Sequence, residues 1–188
     1  MRIVALGDSL TAGLGLPVDG AFPAKLERAL KAKGLAVEVT NAGVSGDTAS
    51  GGLARLEWSA PDGTDAVILE LGANDMLRGV DPQITRHALE AIVRRLTQRH
   101  VPVLLAGMRA AANFDSNYRH EFDAIYPELA ARYDLLLYPF FLDGVAGEGA
   151  LNQGDGLHPS AAGVDAIVAR ILPKVEELVR QARSRRAM

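Results

Sequence analysis

Short apolar runs alternate with longer stretches of mixed polarity along the whole chain. Ile3–Leu6, Val37–Thr40, Ala66–Leu71, Val101–Ala106 and Leu135–Tyr138 are rich in Val, Ile and Leu. Each has the length of a strand and none has a polar alternate face, the pattern of strands covered on both sides in a parallel sheet. The stretches between them read as helices. Phe22–Lys33 carries Leu26 and Leu30 four positions apart and stops before Gly34, a residue suited to the left-handed turn that ends a helix. Asp81 and Pro82 read as the N-cap and first residue of a helix running to Arg99. Ser116–Tyr133 has a helical pattern, and Pro127, which lacks an amide proton, should kink or split it. Ser160 is a candidate cap for a last helix over Ala161–Gln181, with a bend expected at Pro173. This alternation predicts an α/β protein, a three-layer α/β/α sandwich in one domain over residues 1–188, with no internal repeat or linker.

Composition narrows the picture by exclusion. The chain has 188 residues, 48% hydrophobic and 23% charged, which is enough for one core and ordinary for a soluble globular domain. A net charge of −3 gives no reason to expect a nucleic-acid partner. The one basic cluster, Arg180, Arg183, Arg185 and Arg186, reads as part of a solvated tail that frays over residues 182–188. The absence of cysteine excludes disulfides, thiolate–zinc sites and a cysteine nucleophile. No apolar run approaches the ~20 residues of a membrane span, so stable membrane insertion is not expected. Met1–Leu6 has no leader pattern. The expectation is a cytoplasmic protein as written, or a periplasmic or secreted one if a leader has been trimmed.

In open α/β sheets, ligands bind beyond the carboxyl ends of the strands. The residues just past each predicted strand are therefore informative. Gly7-Asp8-Ser9-Leu10 succeeds the first and Asn41-Ala42-Gly43-Val44-Ser45-Gly46-Asp47-Thr48 the second. Gly72-Ala73-Asn74-Asp75 succeeds the third, and Asp155-Gly156-Leu157-His158-Pro159 lies beyond a glycine-rich loop after the fifth. Together these supply a hydroxyl, an imidazole, a carboxylate, a side-chain amide and flexible backbone amides, the parts of acyl transfer. A serine hydroxyl needs a base within hydrogen-bond reach. Histidine suits that task because its unperturbed pKa is ~6.5. A carboxylate on the other ring nitrogen fixes the tautomer and stabilises the imidazolium. Asp155 precedes His158 by three positions, a spacing that a turn can bring to one side. Ser9, Gly46 and Asn74 are candidate donors to a tetrahedral oxyanion.

Taken together these segments resemble the SGNH, or GDSL, hydrolase superfamily, and within it the bacterial thioesterase I, arylesterase and lysophospholipase-like subgroup. Its motifs read here as Gly7-Asp8-Ser9-Leu10-Thr11-Ala12-Gly13, Ser45-Gly46-Asp47-Thr48, Leu71-Gly72-Ala73-Asn74-Asp75 and Asp155-Gly156-Leu157-His158-Pro159. Gly52-Leu53-Ala54-Arg55-Leu56, Ala124-Ile125-Tyr126-Pro127 and Pro139-Phe140-Phe141 are similar as well, so the resemblance runs through nearly the whole chain. It implies a flavodoxin-like sheet of five parallel strands. It implies Ser9 as nucleophile, His158 as base, Asp155 as its orienter, and an oxyanion hole from the Ser9 and Gly46 amides and the Asn74 side chain. It implies no metal or organic cofactor, and a small-molecule ester or thioester as the substrate. One departure is the loop Met108-Arg109-Ala110-Ala111-Ala112-Asn113, which lacks a proline that subgroup members often carry. That loop helps shape the acyl pocket in the family, which makes Arg109 and Asn113 candidate substrate-binding residues.

Other readings are weaker. A carbohydrate O-acetylesterase would use the same parts with a small acyl pocket, and a catalytically silent lipid- or glycan-binding domain would not use them. Gly13-Leu14-Gly15 comes after a strand, but Val18 stands where a dinucleotide fingerprint has its third glycine and Pro17 interrupts the helix start. His87, His100 and His120 fall on predicted helix surfaces or ends without a metal-like partner. Asp8, Asp47 and Asp75 are expected to bond loop amides, and Arg55 is expected on the surface.

Overall fold

The computed structural model describes residues 1–186. Five strands, β1 (Arg2–Gly7), β2 (Glu38–Gly43), β3 (Ala66–Glu70), β4 (Val103–Ala106) and β5 (Leu136–Tyr138), form one parallel sheet in the order β2-β1-β3-β4-β5. Ile3, Leu6, Ala66, Ile68, Leu69 and Leu104 are wholly buried, as strands covered on both faces must be. The chain moves outward from β1 to β2, then crosses back over β1 to β3. The carboxyl ends of β1 and β3 therefore flank the point where strand order reverses, the usual crevice for a ligand in such sheets.

The register brings five sequence segments to one level. Gly7 lies opposite Gly43 and Glu70, Glu70 opposite Ala106, and Ala106 opposite Tyr138. The loops beyond these strands start from a common edge.

Two helices, α2 (Phe22–Ala32) and α8 (Ala161–Arg186), pack together in one layer. In the other layer α6 (Pro82–Gln98) contacts α3 (Ala49–Ala54) and α7 (Ser116–Tyr133). The capping predictions hold. Asp81 accepts from the Gln83 amide at the start of α6, and Ser160 Oγ accepts from the Gly163 amide at the start of α8.

Two expectations are corrected. First, α7 is one helix through Pro127 rather than two. Phe122, Ile125, Tyr126 and Leu129 are buried on both sides of the proline and hold the helix to the sheet despite one missing hydrogen bond. Second, the part of the basic tail that is described, residues 182–186, is helical rather than frayed. α8 continues through Pro173 to Arg186, with Val179 and Ala182 buried and Arg185 donating to the His100 carbonyl at 3.2 Å. Residues 187 and 188 lie outside the described part. Four short helices between the strands and the longer helices have no apolar period long enough to read: α1 (Ser9–Ala12), α3, α4 (Leu56–Ser59) and α5 (Ala73–Leu77).

Tyr126 on α7 reaches the end of β3. Its buried hydroxyl donates to the Leu71 carbonyl at 2.9 Å. The next residue, Gly72, has φ +119°, and a Cβ there would lie 2.1 Å from that hydroxyl oxygen. Both features fix how the chain leaves β3 for α5. Tyr126→Phe should lower the free energy of unfolding by about 1 kcal/mol, the net worth of a buried hydrogen bond, in denaturant titration. An unchanged midpoint would show that the bond contributes nothing.

Candidate active site

Ser9 is the first residue of α1, directly after β1. Asp8 caps this turn, accepting the Leu10 amide on Oδ1 at 2.9 Å. The Ser9 side chain is nearly buried, and its Oγ lies 2.9 Å from His158 Nε2. His158 Nδ1 lies 2.6 Å from Asp155 Oδ2. The three predicted groups thus form one hydrogen-bonded chain, although Ser9 and His158 are 149 positions apart.

The loop carrying His158 and Asp155 is internally braced. Asp155 Oδ1 accepts the amides of Leu157 and His158 at 2.9 and 3.0 Å, so the carboxylate turns its other oxygen to the ring. Gly156 supplies the left-handed residue of the turn, with φ +69°. The His158 amide, then the His158 ring and the Leu157 amide, hold Asp155 well below the usual carboxylate range. It stays ionised and can fix the imidazole tautomer.

Gln153, which sequence reasoning missed, ties this loop to the serine side. Its Nε2 donates to the carbonyls of Leu14 at 2.7 Å and Pro159 at 3.0 Å. Residue type alone gives no signal for such a bond across the fold.

The oxyanion candidates converge on the same rim. No acceptor among the described residues takes the amide of Ser9 or of Gly46, so neither is committed within the protein; Ser9 lines the cavity described below and Gly46 does not. Gly46 has φ +83°, and its carbonyl is held by Arg78 Nη2 at 2.7 Å. Asn74 Nδ2 is placed as expected, but both of its protons have partners. It donates to the Asp47 carbonyl at 2.9 Å and to Asp8 Oδ2 at 3.1 Å.

The accessory acids do more than bond amides. Asp75 takes the Ala49 amide and the Thr85 hydroxyl, linking α5 to α3 and α6. Asp47 instead pairs with Arg55 at 2.6 Å. Arg55 is not a surface arginine. Its guanidinium also donates to the carbonyls of Ala42 and Gly7 and to Ser59 Oγ, at 2.8, 2.9 and 2.8 Å. It adds a donor to carbonyls at the end of the β1–β2 pairing.

Beside Ser9 and His158 opens an apolar cavity of about 350 Å³, with Met76, Leu77, Met108, Phe140, Leu142 and Leu157 among its lining. Arg109 also lines it, with its guanidinium carbon 5.2 Å from the centre of the Phe140 ring in a cation–π contact. Asn113 is not brought to the cavity. It is exposed in a turn that Phe114 anchors by stacking on Tyr118 at 4.5 Å between ring centres. Among the described residues no helix is long and apolar enough to cross a membrane. Nor is there a group of three or more side chains among them suited to holding a metal ion.

A second unpredicted residue lies beneath the serine. Glu70, at the end of β3, is fully buried and accepts the Thr11 hydroxyl at 2.7 Å and, more weakly, the Asp8 amide at 3.5 Å. Its other oxygen has no partner. The signal was a lone acidic residue in an otherwise apolar strand. Burial, then the charge of Asp8, pushes Glu70 well above the ordinary carboxyl value. Burial also raises Asp8 to about 6, against the opposing pull of the Leu10 amide, His158 and Asn74.

A hydroxyl, an imidazole and a carboxylate in series, beside open amides at a strand-order reversal, define a hydrolase of the acyl-transfer class. The chain belongs to the GDSL-like lipase/acylhydrolase family, whose sequence model matches residues 5–166. It is 35% identical to "Esterase TesA" of Pseudomonas aeruginosa over 94% of this chain and 89% of that protein. It is 39% identical to "Thioesterase 1/protease 1/lysophospholipase L1" of Escherichia coli over 84% of this chain and 75% of that one. The crystal structure of AlinE4, an SGNH-hydrolase family esterase, is 46% identical and superposes with a TM-score of 0.79, covering 94% of this chain and 95% of that one.

The buried acids give the site a pH signature. A carboxyl whose pKa is higher in the folded than in the unfolded chain binds more protons when folded. Its contribution is full below the ordinary carboxyl pKa and is lost as pH rises. Stability should therefore decline as pH rises from the ordinary carboxyl range, about pH 4, through about 6, the raised value of Asp8. Glu70→Gln keeps an accepting oxygen and needs no proton, so it should flatten that decline in thermal unfolding. Identical slopes for variant and wild type would show that Glu70 holds no extra proton in the fold.

Proposed function

We propose that this protein is a serine esterase in which Ser9 attacks the acyl carbon of a carboxylic ester, with His158 as base and Asp155 as its orienter. The observation that carries the reading is the Asp155–His158–Ser9 chain, with links of 2.6 and 2.9 Å, opening onto an apolar cavity.

The geometry supports a two-step reaction. His158 Nε2 takes the Ser9 proton as Oγ bonds to the acyl carbon, and the carbonyl π electrons move onto oxygen. The open amides of Ser9 and Gly46, with Asn74, stabilise that oxygen. Collapse of the intermediate breaks the bond to the leaving oxygen, which takes the proton from His158. Water then attacks the acyl-enzyme through the same histidine, releasing the carboxylic acid and restoring Ser9.

The cavity favours an acyl group of short to medium length. Its volume lies at the lower end of the ~300–1,000 Å³ found for small-molecule sites, and Met76, Met108, Phe140 and Leu142 offer a glycan few polar partners. That lining supports a fatty acyl ester over a sugar acetate. Thioesters fit the same mechanism, because the histidine can protonate or release a thiolate.

Ser9→Ala should reduce turnover of 4-nitrophenyl butyrate by about 10⁴-fold or more without lowering the melting temperature. Retained activity would refute Ser9 as the nucleophile. Acetyl, butyryl and octanoyl esters of 4-nitrophenol, with the matching thioesters, test the acyl assignment. Butyryl and octanoyl should exceed acetyl in kcat/KM, and the reverse order would favour an O-acetylesterase.

A further inference from the structure

The oxyanion candidates are not equivalent. Ser9 and Gly46 offer open amides, whereas Asn74 offers a side chain whose terminal torsion is intrinsically broad. Two acceptors remove that freedom here: the Asp47 carbonyl at 2.9 Å and Asp8 Oδ2 at 3.1 Å. The Asp47 carboxylate is committed to Arg55, so of the two aspartates only Asp8 presents a carboxylate to Asn74.

Asp8 is well placed to hold another group. It is fully buried, its Oδ1 is fixed by the Leu10 amide, and Oδ2 is left for Asn74. We propose that Asp8 is a positioning residue for ester hydrolysis, its Oδ2 holding the Asn74 carboxamide in the orientation from which it serves the oxyanion. This inference rests on the esterase reading above.

The surroundings of Asp8 agree with that task. Glu70 of β3 lies beneath it, Asp75 of α5 and His158 of the loop after β5 face it, and Arg55 reaches the neighbouring Gly7 carbonyl. Two adjacent buried carboxyls do not both ionise readily. Burial, then the charge of Asp8, pushes Glu70 well above the ordinary carboxyl value, and one of its oxygens has no partner, so it retains the proton. The negative charge then settles on Asp8, where the Leu10 amide and the Asn74 amide receive it. When the oxyanion forms, it enters beside Asp8 and shares the proton of the longer Asn74 bond. The shorter bond, to Asp47, keeps the carboxamide plane in place.

Asp8 also caps the turn that carries Ser9, so the test must separate capping from positioning. Serine is a good N-cap but has one oxygen where aspartate has two. Asp8→Ser, Asn74→Ala and the double variant should be compared with wild type on 4-nitrophenyl butyrate. Asp8→Ser should lower kcat by about 10-fold or more, part of the loss typical of a missing oxyanion donor, and change KM by less than about 2-fold. Added to Asn74→Ala, it should change kcat by less than about 2-fold, because groups that act as a unit are not additive. Wild-type kcat in Asp8→Ser would overturn the inference, as would an equal fold-loss in both backgrounds. If Asp8→Ser does not fold, Asp8→Asn enters the same cycle, since its amide cannot supply both acceptors and the same non-additive loss is expected. Ser9→Ala in the same assay separates the two levels. Wild-type turnover without Ser9 would remove the esterase reading and this inference together, whereas the Asp8 outcomes with Ser9-dependent turnover bear on Asp8 alone.

Discussion

The first turn of α1 can rest on the ends of β1 and β2 only because two strand residues carry no side chain. A Cβ on Gly43 would stand 2.3 Å from the Ala12 amide nitrogen, and one on Gly7 would stand 2.1 Å from Thr11 Oγ1. The rest of the rim depends on that close approach. It puts the serine immediately beyond the sheet and presses Thr11 onto Glu70. It leaves Asp8 no exit to solvent, so its carboxylate must find partners inside. Enlarging either glycine would move the helix turn, and with it the hydroxyl that His158 reaches.

The end of the β1–β2 pairing is also held by a side chain. The Gly7 carbonyl accepts the Val44 amide and, as a second donor, Arg55 Nη2. Arg55 donates as well to the Ala42 carbonyl, and gives its remaining capacity to Asp47 and Ser59. Asp75 performs the matching service for the start of α3 and for Thr85. The loops on which Gly46 and Asn74 sit are therefore held by charged groups that do not themselves face the cavity.

Most of the sheet and the reactive groups could be read directly from the chain. Runs such as Ala66–Leu71 have no polar face, and the segments bearing Ser9, Gly46, Asn74, Asp155 and His158 sit where α/β topology places ligands. The residues that escaped reading depend on partners distant in sequence. Glu70 stood out as an acid in an apolar strand, yet nothing nearby announces Thr11 or Asp8. Gln153 and Arg55 look like ordinary polar residues until their acceptors are known. Asn113 lies outside the cavity lining, in a turn next to Phe114, whose ring stacks on Tyr118. Pro127 and the basic C-terminal segment show tertiary packing overriding local propensity, since buried neighbours hold each helix together.

The distance along the chain between Ser9 and His158 bears on how the molecule is made. The proposed nucleophile and the candidate oxyanion donors lie within residues 9–74, whereas the proposed base and its carboxylate arrive only with residues 155–158. Synthesis proceeds from the N-terminus, and α8 must still be added before its layer can close over the sheet. In the proposed mechanism, a ribosome-bound chain that has completed the serine side therefore carries a hydroxyl without its base, and reactivity arrives together with completion of the fold.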